Sequence, residues 1–169
     1  MQINTSQGSL ITVEVREIKL RKFSLNELGY IPGADRRVKI EIAQNIGFNL
    51  EFQLANLVLT AFFFYEDTPA VQLAQIEVEN VFFIKELTSF MVDAESIKLP
   101  LEFYVIIFTE AIPQTRALFS QSLKGTVFNN VLIQLTNPIA MVSYYFPNLR
   151  DELEKRFPDS LSPVSTETL

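Results

Sequence analysis

The spacing of the apolar residues changes once along this chain, and that change orders the fold as strands first and helices after. Ile11, Val13 and Val15 alternate with Thr12, Glu14 and Arg16, the two-residue period of a strand with one buried face. After Glu17 the apolar set moves to even numbers, at Ile18 and Leu20, so a β-bulge near Arg16 and Glu17 is needed to keep one face. Residues 24–37 hold two Gly and one Pro and read as a crossing loop with apolar hooks at Leu25, Leu28, Tyr30 and Ile31. A second strand follows with Val38, Ile40 and Ile42 on one face, and residues 45–49 read as an irregular link around Gly47. Residues 50–65 read as a long third strand, with Leu50, Phe52 and Leu54 facing one way. From Leu57 onward both faces turn apolar, so this end is expected to be covered on two sides, with the Phe62 to Phe64 run in the core. Glu66, Asp67, Thr68 and Pro69 make a turn, and residues 71–84 supply a fourth strand. Strands that follow one another through short turns imply an antiparallel sheet.

After Leu87 the period becomes helical. Val105, Phe108, Ile112, Thr115, Leu118 or Phe119, and Leu123 recur every three or four residues. Pro100 suits the start of this helix, Lys124 the negative end of its dipole, and Gly125 the position just past its end. Pro113 lies inside the span, lacks a backbone donor, and is expected to kink or divide the helix. A further helix starts with Asn137 as N-cap and Pro138 in its first turn, and Pro147 and Asn148 interrupt it before residues 149–156. From Pro158 the chain is rich in Ser, Thr and Pro and is expected to be disordered, which leaves residues 1–157 as a single domain.

Composition narrows the chemistry. With 48% apolar residues in 169, one sizeable core is affordable, and the 15 Phe supply much of it. Cys, His and Trp are absent. That removes disulfides, thiolate nucleophiles, sulfur ligands and the commonest general base and metal ligand. The net charge of −6 argues against a nucleic-acid surface, which needs clustered Lys and Arg. Residues 40–84 carry six carboxylates and no basic residue, so their polar face is either a solvated strand face or an acidic surface for cationic partners. Glu77 and Glu79 share a strand face, but nothing beside them suggests a catalytic pocket, and no enzyme activity, cofactor or metal is expected. The apolar runs are too short to span a bilayer, so no membrane insertion is expected. The first residues lack the basic start and long apolar run of a signal peptide, and a cytoplasmic location is expected.

Several local signals then fall in a familiar order. Leu99-Pro100 precedes an apolar run from Phe103 to Phe108; Ile112-Pro113-Gln114-Thr115-Arg116 follows, then Lys124-Gly125-Thr126-Val127-Phe128, and last Leu135-Thr136-Asn137-Pro138-Ile139-Ala140-Met141. Upstream stand Val13-Glu14-Val15-Arg16-Glu17-Ile18, Arg37-Val38-Lys39-Ile40-Glu41-Ile42, and an acidic alternating strand from Gln75 that ends in Phe82-Phe83-Ile84. In order and pattern this resembles the SecB-like export chaperones. The resemblance implies an α+β fold with a four-stranded antiparallel sheet and two C-terminal helices packed on one face. It implies an ATP-independent chaperone that holds unfolded or non-native polypeptide clients and assembles as a homotetramer, a dimer of dimers. It also implies either a translocation ATPase or an antitoxin as a further partner. The tail here departs from the family's acidic tail with basic residues at its end, because residues 159–169 carry only two charges, both negative.

In that family the client groove is lined by the crossing loop, the second strand and the last helix. The matching positions here are Leu28, Tyr30 and Ile31, then Ile40 and Ile42, then Tyr144, Tyr145 and Phe146. Two other functions remain open on the sequence. One is a structural or adaptor protein of the same fold that binds one folded partner; the other is a carrier of a small hydrophobic ligand.

Overall fold

The computed structural model describes residues 2–4, 10–31, 37–93, 97–131 and 137–160. Four long strands form an antiparallel sheet: β2 (Leu10–Leu25), β3 (Val38–Asn49), β4 (Leu54–Tyr65) and β5 (Thr68–Ile84). The three-residue β1 (Gln2–Asn4) adds to the edge of β2, giving the order β1-β2-β5-β4-β3. Strands β3, β4 and β5 follow one another as hairpins, whereas the segment after β2 must cross to the far edge, which makes a Greek-key arrangement. Helix α1 (Leu101–Leu123) packs across β2, β5 and β4, and α2 (Pro138–Tyr145) packs on α1. A short α3 (Arg150–Arg156) follows a 3-10 turn at Pro147–Leu149. The architecture is therefore α+β, and the second predicted helix is two helices separated at its proline.

The expected bulge is present. Pairing with β5 shifts between Val15 and Glu17, and again between Leu20 and Lys22, so Arg16 and Arg21 are the extra residues. Both shifts keep apolar side chains in phase: Val13, Val15, Ile18, Leu20 and Phe23 stand opposite Ile84, Phe82, Asn80, Val78 and Ile76. The face of β4 and β5 beneath α1 is almost wholly dry, with Leu57, Leu59, Phe63, Ile76, Val78 and Phe82 at 0% exposure. From the helix side, Phe103, Ile107, Phe108, Ala111 and Phe119 complete this core.

Four sequence expectations are corrected. Residues 45–49 belong to β3, because each finds a partner on β4, from Asn45 opposite Val58 to Asn49 opposite Leu54. Leu50 to Gln53 form a turn instead of extending the third strand. Asn49 Oδ1 accepts the Phe52 N–H at 3.1 Å, and Gln53 adopts a left-handed conformation with φ 55°. Pro113 does not divide α1, since the helix runs unbroken through it with the proline ring exposed. Pro158 to Ser160 form a 3-10 turn, whose Ser160 carbonyl accepts a hydrogen bond from Asn137 Nδ2 at 2.7 Å. The rest of the expected disordered tail, residues 161–169, lies outside the described residues.

The second face of β4 is not a second core. Phe63 is buried under α1, but Phe62 and Phe64 point the other way, stack on each other at 6.3 Å and stay half-buried. Beside them the carboxylates of β5 have partners within the chain. Lys19 Nζ lies 3.1 Å from Glu79, and Arg21 lies 3.5 Å from Glu77 and 3.8 Å from Glu79. Arg16 places its guanidinium 4.7 Å from the Phe83 ring centroid. Glu77 and Glu79 therefore close an internal charge ladder with β2.

Candidate functional site

Of the residues named from the sequence, Ile40 and Ile42 lie in the first half of β3, Tyr145 reaches it through the Ile42 carbonyl, and Ile31 lies beside it through Tyr65. Their meeting place is the outer edge of the sheet, where β3 has one strand neighbour. Glu66 N–H donates to the Arg37 carbonyl at 3.0 Å, which makes those two residues a hydrogen-bonded pair of the β3–β4 ladder. Backbone groups alternate in direction along an antiparallel strand, so Lys39 and Glu41 also face β4, while Val38, Ile40 and Ile42 turn their N–H and C=O groups outward. The side chains of these same residues are half-buried and pack against the core on the helix side. One row of positions thus offers apolar side chains and outward backbone groups together.

Three segments converge on this row. Tyr145, at the end of α2, donates its hydroxyl to the Ile42 carbonyl at 2.6 Å. Burial pushes the Tyr145 hydroxyl pKa up to about 12, and the neighbouring Tyr144 adds to the shift. Tyr144 itself is 78% exposed and close enough to Lys39 to add to that ammonium's raised pKa, whose main cause is the hydrogen bond to Glu41. From the crossing segment, Ile31 N–H donates to the Tyr65 hydroxyl at 2.8 Å, and Tyr65 stands opposite Val38. Tyr30 sets its ring edge-on to Phe128 at 5.4 Å, and Phe128 lies 5.5 Å from Phe63, the partner of Ile40.

The named residues divide by exposure. Leu28, at 99%, Ile31, at 54%, and Tyr144 are exposed, whereas Tyr30, Ile40, Ile42, Tyr145 and Phe146 are half-buried and pack on the core. Phe146 turns towards α1, with its ring 4.6 Å from Tyr104 and 6.3 Å from Phe108. Sequence reasoning missed Phe128, Tyr65 and Lys39. The polar tip on Tyr65, at the end of an otherwise apolar run, was the one available signal, because a buried tyrosine hydroxyl needs a partner.

The arrangement can hold an extended chain. Outward N–H and C=O groups bond to any peptide backbone, and flanking apolar surface accepts side chains of varied type. Among the described residues no group of His, Cys, Asp and Glu is placed to hold a metal ion, and no helix is long and apolar enough to cross a membrane.

The fold and this edge define an α+β protein with an antiparallel sheet, helices over one face and an apolar rim along its outer strand. No protein-family model matches the chain, and no curated protein matches it. Among solved structures, 10 chains match. One is a SecB-like chaperone of Mycobacterium tuberculosis in complex with a ChAD peptide from an antitoxin; the two are 11% identical over 74% of this chain and 90% of that chain, with a TM-score of 0.47.

Proposed function

We propose that this protein is an ATP-independent chaperone that holds non-native polypeptides in extended form along β3, and that it works as a homo-oligomer. The observation that carries this reading is the coincidence, at Val38, Ile40 and Ile42, of outward backbone groups with a half-buried apolar row, beside exposed Ile31 and Tyr144. Neither kind of contact demands a particular client sequence, which suits many clients held weakly. A cytoplasmic location and a translocation ATPase or an antitoxin as further partner belong to the same proposal.

The test is suppression of aggregation of two unrelated denatured proteins at stoichiometric ratio without nucleotide. Leu28→Ser with Tyr144→Ser removes exposed apolar surface and leaves the half-buried side chains in place. Full burial of one such side chain is worth roughly 1.5–3 kcal/mol, so client affinity is expected to fall about tenfold or more. Normal holding by this double variant refutes the placement of the groove. Binding of a single folded partner with no suppression of aggregation favours the adaptor instead.

A further inference from the structure

The second half of β3 continues the outer row and adds one polar member to it. Pairing with β4 runs in step along the whole strand, from Val38 opposite Tyr65 to Asn49 opposite Leu54, so the alternation set by Arg37 and Glu66 holds throughout. Gln44, Ile46 and Phe48 therefore also turn their backbone groups outward. Their side chains share the helix face with Ile40 and Ile42, since Gln44 stands opposite Leu59, which is at 0% exposure. Ile46 packs on the core, and Phe48, at 38% exposure, sets its ring 6.2 Å from Phe103. The row thus reads Val38, Ile40, Ile42, Gln44, Ile46, Phe48, apolar side chains around a single amide.

Gln44 is half-buried, with its Oε1 inside and accepting no hydrogen bond among the described residues. A strand laid along this edge shuts water out, and a side-chain amide covered without partners loses its hydration with nothing in return. We propose that Gln44 selects among the client segments held on β3, favouring an extended stretch with Gln or Asn opposite it and an apolar residue two positions away on either side. The terminal torsion of a Gln side chain is broad, so the amide turns along the edge at little cost. There its Oε1 accepts from the client amide and its Nε2 donates to the client amide's oxygen. A client hydroxyl is a single oxygen and cannot lie in line with both groups at once. A cation brings a charge into a row that holds no counter-charge, and an apolar residue serves neither group. Apolar residues two places away meet Ile42 and Ile46, because residues two apart share a strand face. The pattern reads the same from either end, so parallel and antiparallel clients carry it alike. A site with a polar group discriminates more sharply than an apolar one, since the wrong ligand leaves a buried group unpaired. This inference rests on the reading of β3 as the client-holding edge and adds one selective position to it.

Two fluorescently labelled peptides test the selection. Each has Val two and four positions from the centre on both sides, Thr between, and a Lys at each end for solubility; the centre is Gln in one and Met in the other. Binding to the full chain is read by fluorescence anisotropy. The Gln peptide is expected to bind the wild type about tenfold more tightly than the Met peptide. Gln44→Met is expected to abolish this preference. Because it removes an unpaired polar atom from the interior, it is also expected to keep or raise Tm. A merely structural role for Gln44 would lower Tm and leave the ratio of the two affinities unchanged, and that result overturns the proposal. Equal affinity of both peptides for the wild type, no binding of either, or a preference that survives in Gln44→Met overturns it as well. Suppression of aggregation by the wild type scores the chaperone reading separately. Equal peptide binding with suppression intact refutes selection at Gln44 and leaves that reading standing, whereas no suppression and no peptide binding refutes both.

Discussion

Tyr145→Phe separates the two things its hydroxyl does. At neutral pH the hydroxyl donates to the Ile42 carbonyl at 2.6 Å, and loss of such a bond costs about 1 kcal/mol. The same hydroxyl titrates at about 12 in the folded chain, mainly because burial disfavours the phenolate. An unfolded tyrosine titrates near 10. A folded value above the unfolded one means that stability is fully present below pH 10 and drains away as the pH rises towards 12, because the unfolded chain ionises first. Two units correspond to about 2.7 kcal/mol, and partial exposure of the ring lowers the usable figure to about 1–2 kcal/mol. Urea unfolding at pH 7, 9, 10, 11 and 12 is the assay, with the wild type compared at each step. The wild type is expected to be about 1 kcal/mol more stable than Tyr145→Phe at pH 7. Between pH 10 and 12 this advantage should shrink to zero or reverse. The comparison cancels the raised pKa of Tyr104, which both chains share. A constant difference across the whole range refutes the coupling of Tyr145 to the strand edge.

Phe128→Ala empties the space between Tyr30 and Phe63 and should cost about 3–5 kcal/mol, a fall in Tm of roughly 6–20 °C by differential scanning calorimetry. Leu28→Ser with Tyr144→Ser should stay within about 0.5 kcal/mol per site of the wild type, so equal losses in the two variants would contradict their different burial. Thr115→Val removes the hydroxyl that accepts from Asn80 Nδ2 at 3.2 Å in a site where both residues are at 0% exposure. It should cost about 1–3 kcal/mol in urea unfolding, and adding Asn80→Leu should recover part of that loss, because the buried amide goes with its partner. No recovery in the double variant would show that the Asn80 bond to the Leu57 carbonyl, at 3.3 Å, carries the stability instead.

The strands, the bulge at Arg16 and the ends of α1 were legible because each leaves a local mark. The slip in period after Glu17 has no meaning in a strand except a bulge, and Gly125 takes φ 80° where the helix stops. Asn137 caps α2 as its position suggests, with Oδ1 accepting from Ile139 N–H and Ala140 N–H. The turn at Leu50 to Gln53 was hidden because it holds no Gly or Pro and because Leu50 and Phe52 keep the strand alternation going. Gly47 misled in the opposite direction: it sits in β3 with open space around its Cα, so it punctuates nothing. For the site, residue types pointed to Tyr30, Ile42 and Tyr145, but not to which would be exposed. That division depends on Phe128 and Tyr104, which reach the site from distant parts of the chain, and single-sequence periodicity carries no such information.

The position of Phe128 between Tyr30 and Phe63 also sets a timetable. The crossing segment is made early, yet the ring that receives Tyr30 arrives only with residue 128. At a synthesis rate of about 5–20 residues per second that interval lasts roughly 5–20 s. The Tyr145 bond to Ile42 spans 103 positions and closes later still. Contacts of such long separation are slow to form even in a finished chain. A nascent chain stalled between Ile84 and Phe128 therefore holds every long strand but lacks the ring that closes the core between Tyr30 and Phe63.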